Sequence, residues 1–109
     1  MNTLSSNLNE LDRIIHEPAR LLIMTALSVA KSADFLFLQN LTGLTAGNLS
    51  GHLSRLEEAG FVNNVKEIVG KRPKTTISLT PAGRQAIESH WQQLETLKKK
   101  AGEIGKSQS

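Results

Sequence analysis

A chain of 109 residues has room for one domain with a modest core, and its 39% hydrophobic and 21% charged content is ordinary for a soluble globular protein. It contains no cysteine, which excludes disulfides, thiolate metal sites and cysteine nucleophiles together and fits a reducing compartment. Its net charge of +3 is too small to identify a partner, and no apolar run approaches the ~20 residues needed to span a bilayer. Residues 1–11 are polar and lack the basic-then-apolar layout of a secretory signal, so a cytoplasmic protein is expected.

Residues 1–7 are expected to be flexible. Asn7, with Glu10 three positions on, reads as an N-cap with its reciprocal partner, and Leu8, Leu11, Ile14 and Ile15 follow at helical spacing. Pro18 interrupts this helix and suits the first turn of the next. There Ala19, Ile23, Ala26, Leu27 and Ala30 form an apolar stripe that Leu21, Leu22 and Met24 widen, predicting a central and nearly enclosed helix. Asp34 can cap a short third helix through Phe35, Leu38 and Leu41, ended by Gly43. A short strand near residues 33–35 is an alternative that the pattern leaves open. Thr45 caps a fourth helix over about residues 45–59, with Leu49, Leu53 and Leu56 on one face and Gly60 as its stop. The tight Gly43-Leu44-Thr45 turn makes the third and fourth helices a helix-turn-helix candidate.

After Gly60 the period changes. Residues 61–69 are rich in β-branched and apolar side chains, Gly70-Lys71-Arg72-Pro73-Lys74 signals a turn, and Thr75, Ile77 and Leu79 alternate with polar residues. A hairpin over about residues 61–79 with a basic tip is predicted. Thr80-Pro81 supplies an N-cap and a first-turn proline for a last helix over about residues 81–104, with Ile87, Trp91, Leu94, Leu97, Ala101 and Ile104 along one face. Residues 105–109 are expected to fray. The expected architecture is a single domain over residues 8–104, mainly α with a small β-hairpin (α+β), in the order α-α-α-α-β-β-α. That is a winged helix-turn-helix.

The basic residues fall where this arrangement would meet a polyanion. Residues 45–84 hold six (Arg55, Lys66, Lys71, Arg72, Lys74 and Arg84) against the three acids Glu57, Glu58 and Glu67. With Leu49, Leu53 and Leu56 turned to the core, Thr45, Gly47, Asn48, Ser50, Gly51, His52 and Arg55 lie on or near the outer face of the fourth helix. Its N-terminal N–H groups favour a phosphate, Asn48 can pair bidentately with adenine, and Ser50 can serve either base type. Gly47 and Gly51 each cost a helix about 1 kcal/mol against alanine, which suggests that something must approach this face closely. His52 reads equally as a phosphate donor or a solvated surface histidine. At the hairpin tip, Lys71, Arg72 and Lys74 cluster around a stiffening Pro73. Arg72 is the candidate for a narrow minor groove, and Lys66 for a phosphate. A polar helix face or a charged turn alone describes any protein surface; their direct succession favours double-stranded DNA.

Three segments resemble the short winged-helix transcription regulators related to the MarR and ArsR families. His16-Glu17-Pro18-Ala19-Arg20-Leu21 is similar to the start of their central helix. Gly47-Asn48-Leu49-Ser50-Gly51-His52-Leu53-Ser54-Arg55-Leu56-Glu57-Glu58-Ala59-Gly60 is similar to their recognition helix. Gly70-Lys71-Arg72-Pro73-Lys74-Thr75-Thr76, running on through Leu79-Thr80-Pro81-Ala82-Gly83-Arg84, resembles their wing and the start of their last helix. The likeness spans roughly residues 8–95. It implies a homodimer on a pseudo-palindromic site, with the terminal helices building the interface.

The apolar stripe around Trp91 can pack on the domain's own core or against a second chain. A domain this small gains from added burial, so Leu8, Leu11, Ile15, Trp91, Leu94 and Leu97 are the candidate dimer contacts. Catalysis is not expected: His16, His52 and His90 are widely spaced, without a helical zinc-site pattern, a glycine-rich phosphate loop or a serine nucleophile elbow. No cofactor or metal is expected, and nothing marks a pocket for a small-molecule effector. The reading is a sequence-specific DNA-binding regulator that represses as a homodimer. The alternatives are a winged-helix protein–protein adaptor and a regulator answering a ligand at the dimer interface.

Overall fold

The computed structural model describes residues 10–108, with side-chain surroundings from Arg13 to Gly105. Asn7 and Leu8 lie outside the described residues, as does the side chain of Leu11. The elements are α1 (Glu10–Ile15), α2 (Pro18–Ala30), β1 (Ser32–Asp34), α3 (Phe35–Thr42), α4 (Ala46–Glu58), β2 (Val62–Val69), β3 (Arg72–Leu79) and α5 (Pro81–Gln108).

Each helix after α1 starts where its sequence supplies a cap. The Glu17 carboxylate accepts from the Arg20 backbone N–H at 3.0 Å, with Pro18 in the first turn of α2. The Asp34 carboxylate accepts from Phe37 N–H at 2.7 Å, and the Thr45 hydroxyl from Asn48 N–H at 3.1 Å. The Thr80 hydroxyl accepts from Gly83 N–H at 3.0 Å. These bonds satisfy donors that the first turn of a helix leaves unpaired. Gly43 ends α3 in the left-handed region at φ 72°, returning its N–H to the Gln39 carbonyl at 2.9 Å.

The open question at residues 33–35 is resolved by β1, which begins one residue earlier. Lys31, at φ 62°, turns the chain out of α2, and Ser32, Ala33 and Asp34 pair antiparallel with Ser78, Ile77 and Thr76. The sheet is therefore three-stranded, in the order β1-β3-β2, and the element order is α-α-β-α-α-β-β-α.

Ile23, Met24 and Leu27 of α2, Leu38 of α3, and Leu49, Leu53 and Leu56 of α4 are buried in one cluster with Ile77 and Ile87. Each fully buried side chain of this kind contributes about 1.5–3 kcal/mol. The helix α2 is central, touching four other helices and the sheet, but it is not enclosed: Leu22 and Val29 remain exposed. Ile15, expected at a dimer interface, is instead 2% exposed and belongs to the domain's own core. The helix α5 continues past Ile104 to Gln108, and every described residue from Trp91 onward is exposed. It carries the chain well beyond the core, giving extents of 63 × 28 × 25 Å. No described helix is long and apolar enough to cross a membrane.

Candidate nucleic-acid interface

The helix α4 buries one face and presents the other. Leu49, Leu53 and Leu56 are within 1% of complete burial, whereas Thr45, Gly47, Asn48, Ser50, Gly51, Ser54 and Arg55 are exposed. Around the helix, Gly47, Gly51, Ser54 and Arg55 lie opposite the leucines, with Asn48 and Ser50 flanking them. A Cβ added to Gly47 or Gly51 would meet nothing within 4 Å. Nothing inside the described structure therefore requires glycine at either position.

His52 does not join this outer face. Its ring lies near the start of α2, with Nδ1 at 3.2 Å from Arg20 Nη1 and 3.5 Å from Glu17 Oε2. Arg20 in turn donates through Nε to the Ile14 carbonyl at 2.6 Å. A neutral ring can accept from Arg20 at Nδ1, and a protonated one would face the Glu17 carboxylate. Partial burial alone would raise the Glu17 carboxyl. The N–H groups of Arg20 and Ala19 and the positive charges of His52 and Arg20 outweigh that effect and hold it below its ordinary value. Glu17, Arg20 and His52 thus connect the middle of α4 to the junction of α1 and α2.

The wing is a hairpin whose two-residue loop is Gly70-Lys71, because Val69 pairs with Arg72. Only Gly70 has positive φ, at 68°, which suits the II′ turn that a right-twisted hairpin prefers. Pro73 accordingly sits inside β3, opposite Ile68, and does not stiffen the turn itself. Facing partners share a side of the sheet. Glu67 with Lys74 and Val69 with Arg72 therefore lie on one side, and Lys66 with Thr75 and Ile68 with Pro73 on the other. The four wing cations are split by the pleat: Lys71 at the apex, Arg72 and Lys74 on the outer side, and Lys66 on the side continuous with the core.

That inner side closes a cleft of about 280 Å³ against α4. Ser50, Leu53 and Ser54 form one wall and Asn64, Lys66 and Thr75 the other, with Phe35 reaching in from α3. Asn64 Oδ1 is buried there without a hydrogen-bond partner. The structure thus brings Ser50 and Lys66 together and sets Arg72 and Lys74 apart from them. Ser54 and Asn64 line the same cleft without being among the contact candidates named from the sequence. Ser54 follows Ser50 by one helical turn, and Asn64 is an amide at an inward position between Val62 and Lys66, so both signals were present. Among the described residues, no group of three or more His, Asp or Glu side chains could hold a metal ion.

Comparison with known proteins agrees with this geometry. Residues 19–97 match the family described as winged helix DNA-binding domain. An uncharacterized protein of Methanocaldococcus jannaschii is 34% identical over 87 residues, covering 80% of this chain and 95% of that protein. The structure of a transcriptional regulator homologue from Pyrococcus horikoshii OT3 superposes with a TM-score of 0.80 at 29% identity, covering 93% of this chain and 98% of the other. A MarR-family structure from Enterococcus faecalis V583 shares the fold, with a TM-score of 0.77 at 20% identity over 97% of this chain and 94% of its own. With four buried leucine-type anchors holding α3 and α4 and a basic hairpin beside them, the chain belongs to the winged helix DNA-binding domain family.

Proposed function

We propose that this protein is a sequence-specific regulator that binds double-stranded DNA as a homodimer and represses by covering a promoter. The observation that carries this reading is the pairing of an exposed, glycine-bearing α4 face with a wing holding Lys66, Lys71, Arg72 and Lys74. Asn48 and Ser50 read base edges in the major groove, with Thr45, Gly47, Gly51 and Arg55 on the same approach. Arg72 enters the adjacent minor groove, and Lys66, Lys71 and Lys74 neutralise phosphates. His52 supports α4 from behind. The Pyrococcus relative is described as a transcriptional regulator homologue, which supports the same role here.

The exposed face of α5, with Trp91, Leu94 and Leu97, provides the contact with a second chain. Two recognition helices would then enter successive major grooves about 34 Å apart.

Selecting bound fragments from a random DNA pool tests this reading. A recovered inverted repeat with half-sites one helical turn apart is the expected result. Asn48→Ala and Ser50→Ala should relax the recovered sequence, whereas Lys71→Gln should weaken all binding and flatten its salt dependence. Recovery of no consensus, together with salt-independent affinity for genomic fragments, would leave the protein-adaptor alternative.

A further inference from the structure

We propose that His52 is a positioning residue for α4 that works by a proton-dependent choice of partner: the neutral ring ties α4 to Arg20 and supports sequence reading, and the protonated ring passes to Glu17 and weakens it. The inference rests on the DNA-binding reading and assigns a control on it to a side chain that lies off the outer face of α4. It starts from one atom. His52 Nδ1 lies 3.2 Å from Arg20 Nη1 and 3.5 Å from Glu17 Oε2. A guanidinium can only donate, and an ionised carboxylate can only accept. Nδ1 therefore serves Arg20 when it carries a lone pair and Glu17 when it carries a proton, and never both. The shorter contact has hydrogen-bond length and the longer one is beyond it, so the placement of α4 in this structure is that of the neutral ring.

Both partners are fixed to the backbone, which makes His52 the member that moves. Arg20 Nε donates to the Ile14 carbonyl at 2.6 Å, and Glu17 Oε2 accepts from Arg20 N–H at 3.0 Å. Protonation would set two cations 3.2 Å apart, and a shift toward Glu17 exchanges that repulsion for a charge-assisted bond. Glu17 stays ionised through this change, because its carboxyl is held below its ordinary value. The other elements packed against α4 bring no charge to this flank. The helix α3 has no ionisable side chain, Lys66 of β2 lines the cleft with Ser50 and Ser54 about 160° around α4 from His52, and Glu67 lies on the other side of the sheet. On α4 itself, Arg55 stands three residues on and is exposed. The His52 side chain is 22% exposed, so its proton can exchange with solvent. Its shift reaches the reading surface because Asn48 precedes it by one helical turn on nearly the same side. The poor helix formers Gly47 and Gly51 make a tie from another helix count for more in placing α4.

The test uses the full chain, the duplex recovered by random-pool selection and a scrambled duplex of the same length, compared between about pH 8 and about pH 5.5, a range in which imidazole side chains change charge. The ratio of the two affinities cancels the general gain in phosphate attraction that any protonated histidine brings. In the wild type this ratio should fall by about tenfold on acidification, the usual effect of losing one charge-assisted hydrogen bond. His52→Gln keeps an acceptor for Arg20 and a donor for Glu17 without titrating, and it leaves His16 and His90 in place. Its ratio should stay high throughout. In the free protein, nitrogen NMR should show the neutral His52 ring carrying its proton on Nε2, with Nδ1 as an acceptor. A wild-type ratio independent of pH overturns the inference while DNA binding stands. So does a His52→Gln ratio that is low at neutral pH or falls like that of the wild type, and so does a neutral ring with its proton on Nδ1. If no duplex shows salt-dependent binding, the DNA-binding reading falls and the inference with it.

Discussion

Gly83, in the first turn of α5, lies against the backbone of Phe61 so closely that a Cβ on it would stand 2.0 Å from the Phe61 carbonyl oxygen. That oxygen also accepts from Thr80 N–H at 3.0 Å, and the Thr80 hydroxyl donates to the Gly60 carbonyl while capping Gly83. The base of the wing is therefore fastened to the start of the last helix by backbone contacts that no side-chain rotation can relieve.

Gly83→Ala should accordingly destabilise the domain by at least about 2 kcal/mol, since neither the helix nor the hairpin can yield without losing these bonds. For a chain of this size the thermal midpoint should fall by about 10 °C or more. Circular dichroism melting of the variant decides the matter. An unchanged midpoint would mean that the contact is loose.

The glycines of α4 predict the opposite sign. Gly47→Ala and Gly51→Ala meet open space, so each should stabilise the free protein by about 0.5–1 kcal/mol through lower chain entropy. Binding should move the other way: a methyl group on the approaching face should weaken DNA affinity by about tenfold, a cost of about 1.4 kcal/mol. Melting curves and fluorescence anisotropy on the same preparations measure both effects. Variants that are more stable and bind equally well would show that nothing comes close to this face.

Local signals made most of the fold legible. Asp34, Thr45 and Thr80 each cap the helix expected of them, and Leu49, Leu53 and Leu56 are buried as their spacing implies. What remained open depends on partners distant in the chain. The strand β1 has three residues, and its reason to be extended is a ladder to Ser78, Ile77 and Thr76, more than forty positions away. Pro73 looked like part of a turn because proline usually is; the Val69–Arg72 pairing puts it inside a strand. In the candidate interface, the exposed positions of α4 followed from periodicity. The direction of His52 did not, because it is set by Glu17 and Arg20 on another helix. Ile15 sits at the same helical phase as an interface residue would, and only the packing of α1 on α2 shows that it is core.

Glu17 links stability to pH. Its carboxyl is held below the ordinary value of 4.5 in the folded chain, so its charge stabilises the fold above that value. The contribution should fade as the pH falls through the lowered folded pKa. Glu17→Gln retains an oxygen to accept from Arg20 N–H but removes the charge that faces His52 and Arg20. The wild type should therefore be the more stable protein at neutral pH, with the difference vanishing in acid. Urea unfolding of both proteins between about pH 3 and pH 7 tests the sign. A difference that grows on acidification would contradict the assignment.

The exposed stripe of α5 gives the sharpest consequence of the proposed assembly. Trp91, Leu94 and Leu97 are 41%, 43% and 54% exposed on a helix that has already left its own core, so only another surface can take up their remaining area. If that surface is a second copy, each of these residues occurs twice in the interface, once from each chain, and a charge placed among them is met by its own symmetry mate. Leu94→Glu should then convert a dimer into an 11.9 kDa monomer in sedimentation equilibrium. Trp91 is the sole tryptophan, so dilution of the wild type should red-shift its emission as the chains separate, whereas Leu94→Glu should be red-shifted at every concentration. The monomer keeps both α4 and the wing and should still bind an isolated half-site. It should lose about 10²–10⁴-fold on the full inverted repeat, where the second half-site is reached at high effective concentration only by a linked partner. A wild type that sediments as a monomer at micromolar concentration would remove the dimer from the proposed mechanism and leave each domain to bind alone.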